Sequence, residues 1–112
     1  MSTSVGNQAE SAAIDFLKMK GFKLVERNWR TRVCEIDIVA EKDGTLYLIE
    51  VKYRRNGQQG SGLDYITNKK LQQMMFAASC WAQEHNWEDS YELAAIEVAS
   101  NFKVTHFIES LT

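Results

Sequence analysis

Residues Cys34 to Tyr53 read CEIDIVAEKDGTLYLIEVKY, and this stretch decides the fold. Its first part alternates Cys34, Ile36, Ile38 and Ala40 with Glu35, Asp37 and Val39, the period-two pattern of a strand. Its second part places Leu46, Leu48, Glu50 and Lys52 on one face and Tyr47, Ile49, Val51 and Tyr53 on the other. Asp43-Gly44 between them is a two-residue hairpin signal, since both central positions of such a turn need a positive φ. With Lys42 opposite Thr45, Asp37 faces Glu50 and Glu35 faces Lys52 on one face of the pair. Like charges directly opposed destabilise a sheet, so this pairing calls for a cation between the two acids. A slip by one residue would turn one strand's acids to the opposite face.

Upstream, Asn7 to Lys20 has apolar residues at helical spacing, with Ala9, Ala12, Ala13, Phe16 and Leu17 on it and Gly21 as its stop. Glu10 shares an azimuth with Ile14 and Leu17, so it lies within the apolar stripe. It either points at a partner across the core or snorkels at the edge of the stripe. Phe22 to Trp29 reads as the first strand, followed by a basic connection through Arg30 and Arg32.

Downstream, Arg54 to Gly62 (RRNGQQGSG) is a Gly- and Gln-rich connection. Thr67 is placed to cap a helix from Asn68 to His85, with Leu71, Met74, Met75, Ala78 and Trp81 on its apolar side. Lys69 and Lys70 open that helix against its dipole, a placement that a ligand would explain. Tyr91 to Val98 and Val104 to Ile108 read as the last strands.

The chain has 112 residues, 45% of them hydrophobic and 25% charged, which suits one soluble α/β domain over residues 1–112. No apolar run is long enough to span a membrane, and the polar start lacks a signal-peptide pattern, so a cytoplasmic location is expected. Cys34 and Cys80 form no CxxC motif and read as free thiols rather than a disulfide or zinc site. His85 and His106 stand alone, without a metal-binding spacing or nucleophile elbow. No phosphate-binding GxxxxGK[ST] or GxGxxG motif occurs.

The net charge of −2 conceals a segregation. All basic residues but Lys42 and Lys103 fall within Lys18–Arg32 or Lys52–Lys70, whereas acids dominate from Glu84 onward. Converging basic stretches would make a phosphate-binding surface; dispersed ones would make only a solvated mixed-charge surface. Carboxylates gathered without thiolate or imidazole describe a hard-oxygen site for Mg²⁺ or Mn²⁺. With Lys52 beside it to orient water and offset developing charge, the matching reaction is phosphodiester hydrolysis.

At these residues the chain resembles the YraN-type family of small uncharacterised bacterial proteins. That family is grouped with the restriction-endonuclease-like, PD-(D/E)xK nucleases and is similar in layout to archaeal Holliday-junction resolvases. The resemblance rests on a helix glutamate, E-I-D, E-V-K-Y-R-R and a second helix with a leading lysine, and it runs from Gly6 to about Ile108. It implies an αβββαββ fold with a mixed central sheet flanked by helices. It assigns Glu10, Asp37, Glu50 and Lys52 to the catalytic positions, Asp37 and Glu50 to the metal and Lys70 to the basic helix position, with Glu35 as an accessory. Cys34 stands where the family usually has glycine, and Ile36 where a PD motif has proline.

The resulting expectation is a DNA-binding, Mg²⁺- or Mn²⁺-dependent nuclease, with Arg30, Arg54, Arg55, Lys69 and Lys70 on phosphates and a homodimer as one way to span a duplex. The rival is a nucleic-acid-binding module of the same fold without turnover. A retaining glycosidase also uses paired carboxylates, but this chain leaves little room for a sugar cleft, and the basic residues favour phosphate.

Overall fold

A computed structural model describes residues 4–55, 64 and 66–111. The elements follow the order αβββαββ: α1 (Ser4–Met19), β1 (Lys23–Arg30), β2 (Glu35–Lys42), β3 (Thr45–Arg54), α2 (Asn68–Glu84), β4 (Tyr91–Ala99) and β5 (Val104–Ile108). The Gly- and Gln-rich connection read from Arg54 lies outside the described residues over 56–62. Strands β1 to β5 form one sheet in sequence order. Neighbours are antiparallel except β3 and β4, which run parallel and are joined by the α2 crossover. Among the described residues no helix is long and apolar enough to cross a membrane.

The helices cover opposite faces of the sheet. On the α1 side, Ala9, Ala13, Ile14 and Leu17 pack on Ile38, Ala40, Ile49 and Val51. On the α2 side, Met74, Ala77, Ala78 and Trp81 pack on Val39, Leu46, Leu48 and Leu93. The buried stripe of α2 thus runs through Met74 and Ala77, and Met75, read as core from spacing, is 49% exposed. Thr67 caps α2 by accepting from the Lys70 amide at 3.1 Å. At the other helix, Gly21 (φ +92°) turns the chain out of α1.

The hairpin register is the one read from the sequence, from Lys42↔Thr45 to Ile38↔Ile49. Asp43 (φ 53°) and Gly44 (φ 80°) both take the left-handed conformation that a two-residue turn requires. Beyond Ile49 the ladder stops, so neither the expected opposition of Asp37 and Glu50 nor that of Glu35 and Lys52 is part of it; Glu35 pairs instead with Arg30 on β1. Strict alternation along β2 also fails. Ile38 belongs to the α1-side core and Ile36 to the α2-side core, although they are two residues apart. The partner strand changes face at the same level. Arg27 reaches toward α1 and Trp29 packs toward α2, with Asn28 between them at φ 56°.

Candidate metal and nucleic-acid site

The break in the ladder is built from Asp37 itself. In a two-residue hairpin the residues flanking the turn form a hydrogen-bonded pair, and such pairs recur at every second position. Continuing from Lys42↔Thr45, the Val51 amide would donate to the Ile36 carbonyl. It donates instead to Asp37 Oδ2 at 2.9 Å. The carboxylate therefore sits at the mouth of the gap between β2 and β3, anchored by one oxygen.

Three acids converge electrostatically there. Asp37 is 7% exposed, and its pKa is pushed up to about 6, first by burial and then by the negative charge of Glu50. Glu10 is fully buried on α1 and is also pushed up, by burial and then by Asp37. Asn28 works against this rise, and the Arg27 guanidinium stands 3.6 Å from Glu10 Oε1. The core-facing glutamate read from helical spacing thus does meet a partner from across the core. That partner lies in the basic stretch of the sequence, but only the turned backbone at Asn28 identifies it.

Glu50 follows Leu48 on the α2 face of β3, and Lys70 Nζ stands 2.9 Å from its Oε2. Lys52 continues along the same side, half-buried. Among the described residues no three His, Cys, Asp or Glu side chains gather tightly enough to enclose an ion. A site of two carboxylates completed by water and phosphate oxygens is nonetheless what Mg²⁺ uses. Asp37 and Glu50 supply hard oxygens, and the negative charge of Glu50 raises the Asp37 carboxyl, so the donor set fits Mg²⁺ or Mn²⁺.

The basic residues differ in what they hold. Arg54, expected on phosphate, holds Glu97 at 2.7 Å and Asp64 at 2.6 Å, tying β3 to its parallel neighbour β4. Burial works to raise the Glu97 carboxyl, but hydrogen bonds from Arg54, Thr105 and His106 outweigh it and hold that carboxyl below its usual range. His106 is therefore structural. Arg30 lies 3.5 Å from Glu35, both half-exposed or more. Lys70 serves Glu50. Arg55 and Lys69 are exposed, and Lys69 lines a groove of about 510 Å³ that also exposes Glu50 and Lys70.

At the far end of α2, His85 stacks on Trp81 at 3.9 Å, while Trp81 and Trp29 donate to Glu26 and Glu84. This cluster fastens α2 to β1. Cys34 and Cys80 are free thiols, half-buried beside the α2-side core. Sequence reasoning missed Arg27, the switch at Asn28 and, of the groove-facing residues of α2, Gln72, Gln73 and Phe76. An asparagine inside a strand pattern, a poor β-former tolerant of positive φ, was the available signal for the second.

Residues 9–104 match the uncharacterised protein family UPF0102, nearly the whole described chain. The chain belongs to that family. A UPF0102 protein of Vibrio parahaemolyticus is 34% identical over 71% of this chain and 66% of its own length. One from Pseudomonas fluorescens is 35% identical over 82% and 80%, and one from Hahella chejuensis is 40% identical over 74% and 67%. UPF0102 is the YraN-type family that the motifs resemble, and its matched region contains Glu10, Asp37, Glu50, Lys52 and Lys70.

Proposed function

We propose that this UPF0102 member is a cytoplasmic nucleic-acid-binding protein that hydrolyses DNA phosphodiester bonds with Mg²⁺ or Mn²⁺. The observation that carries this reading is the junction of Asp37 and Glu50 where β2 and β3 part, with Lys52 two residues on and Glu10 behind. Asp37 and Glu50 are the residues that would hold the metal. Bound there, the ion would supply Lewis acidity to a phosphate oxygen and a lowered pKa to bound water. The Val51 amide fixes the Asp37 carboxylate, so that oxygen needs no reorganisation when the substrate arrives. Lys52 orients the attacking water and offsets charge on the phosphorane, and Glu10 keeps negative potential behind Asp37. Lys69, exposed beside the acids, is placed for phosphate contact; Arg54 acts as a strut within the sheet.

The second reading is a binding module without turnover, and the Lys70–Glu50 pair favours it, because an internal cation already serves one of the two acids. A cleavage panel over branched, single-stranded and duplex DNA with Mg²⁺, Mn²⁺ or EDTA separates the two. Metal-dependent products that vanish in Asp37→Asn support the enzyme. Binding without products, unchanged in Asp37→Asn, supports the module.

A further inference from the structure

Beside the acids, the groove of about 510 Å³ runs along α2 and is bounded on its other side by Val33, Cys34 and Glu35. Its α2 wall is not the apolar stripe of the helix. Lys69, Gln72, Gln73 and Phe76 follow one another at offsets of three, four and seven residues, so they share one face, and all four are exposed. Phe76 is 53% exposed, and its ring takes no part in either core. Packing on β2 and β4 is carried instead by Met74, Ala77, Ala78 and Trp81. The wall therefore presents, in order along the helix, a cation, two carboxamides and an aromatic ring, and it opens where Glu50 and Lys70 meet.

We infer that this groove receives an unpaired nucleotide of the nucleic acid whose backbone lies at the acids, with its base stacked on Phe76. The inference rests on the nuclease or nucleic-acid-binding reading of the same site and adds a substrate class to it. A paired duplex keeps its base faces covered along its length, so a ring in a concave wall beside a phosphate site finds a π-face only where a base is unstacked. The carboxamides of Gln72 and Gln73 carry both donors and acceptors, which suits base edges of any identity. Lys69, at the end nearest the acids, suits the phosphate of that nucleotide. Glu35 faces the helix from the other wall, where an anion would repel a phosphate, so the nucleotide keeps to the α2 wall. The groove's volume is within the range of sites for ligands of this size.

The test is binding of a labelled single-stranded oligodeoxythymidylate and of a blunt duplex of equal length, measured by anisotropy with Ca²⁺ in place of Mg²⁺. Wild type should prefer the single strand. Phe76→Leu should weaken that complex by roughly 5- to 150-fold, the range for losing one base–aromatic stack, and leave duplex binding unchanged. Phe76→Tyr, which keeps the ring, should bind as wild type. Equal affinity for both nucleic acids, or Phe76→Leu indistinguishable from wild type, overturns the inference while leaving the nuclease reading in place. Failure to bind either nucleic acid, together with no cleavage of any substrate, overturns both.

Discussion

Lys70 Nζ lies 2.9 Å from Glu50 Oε2, so the first turn of α2 holds a positive charge against the acid on β3. The pair is partly exposed, and its own contribution to stability is therefore small, about 0.5 kcal/mol. Its greater effect is on competition with a metal. Lys70→Ala should leave the fold intact and enlarge the rise in melting temperature that Mn²⁺ produces, because Glu50 then depends on the ion alone. Thermal melts of both proteins with and without Mn²⁺ check this.

The acids make stability depend on pH in opposite directions. Asp37 is raised in the folded chain, from 3.8 to about 6, so its protonated form is the favoured one. Its contribution is fully present below the unfolded pKa and is lost as pH rises through the folded value, by roughly 3 kcal/mol in all. Asn can still accept from the Val51 amide, so Asp37→Asn should raise stability above about pH 7 by a similar amount and abolish cleavage. Glu97 is held below its usual range, so its contribution is present at neutral pH and lost as pH falls through the folded value. Urea titrations across pH should show wild type losing stability on both sides and Asp37→Asn losing less of it on the alkaline side, where Glu10 still contributes.

Glu10 is fully buried, and burial and then the charge of Asp37 raise its carboxyl. Glu10→Gln should therefore stabilise the protein near neutral pH, and less so in an Asp37→Asn background, because the two acids interact. A double-mutant cycle by denaturant unfolding measures the coupling; strict additivity would show that they do not.

Gly44 has φ 80° with open space around it, so Gly44→Ala introduces backbone strain without a clash. The expected loss is about 1 kcal/mol, read as a lower denaturant midpoint. The acids lie at the other end of the hairpin from this turn, so the metal response should persist.

The hairpin, and with it the placement of Asp37 near Glu50, was legible because turn chemistry and period-two patterning are local properties. Glu10 was legible for the same reason, as a charge in a helical stripe. The end of the ladder was not, because it depends on Asp37 competing with the Ile36 carbonyl for one amide and on the strands changing face at Asn28. Continuing the ladder too far produced the Asp37–Glu50 and Glu35–Lys52 pairings, which the register does not contain. The basic residues were counted correctly but not sorted, since only folding brings Glu97 and Asp64 to Arg54 and Glu50 to Lys70.

The most direct test is calorimetric titration of Mn²⁺ into the metal-free protein and into Asp37→Asn and Glu50→Gln. The account predicts saturable binding to wild type that either single substitution removes while the fold, followed by circular dichroism, is retained. Wild-type-like binding in both variants, or no binding to the unsubstituted protein, would contradict it.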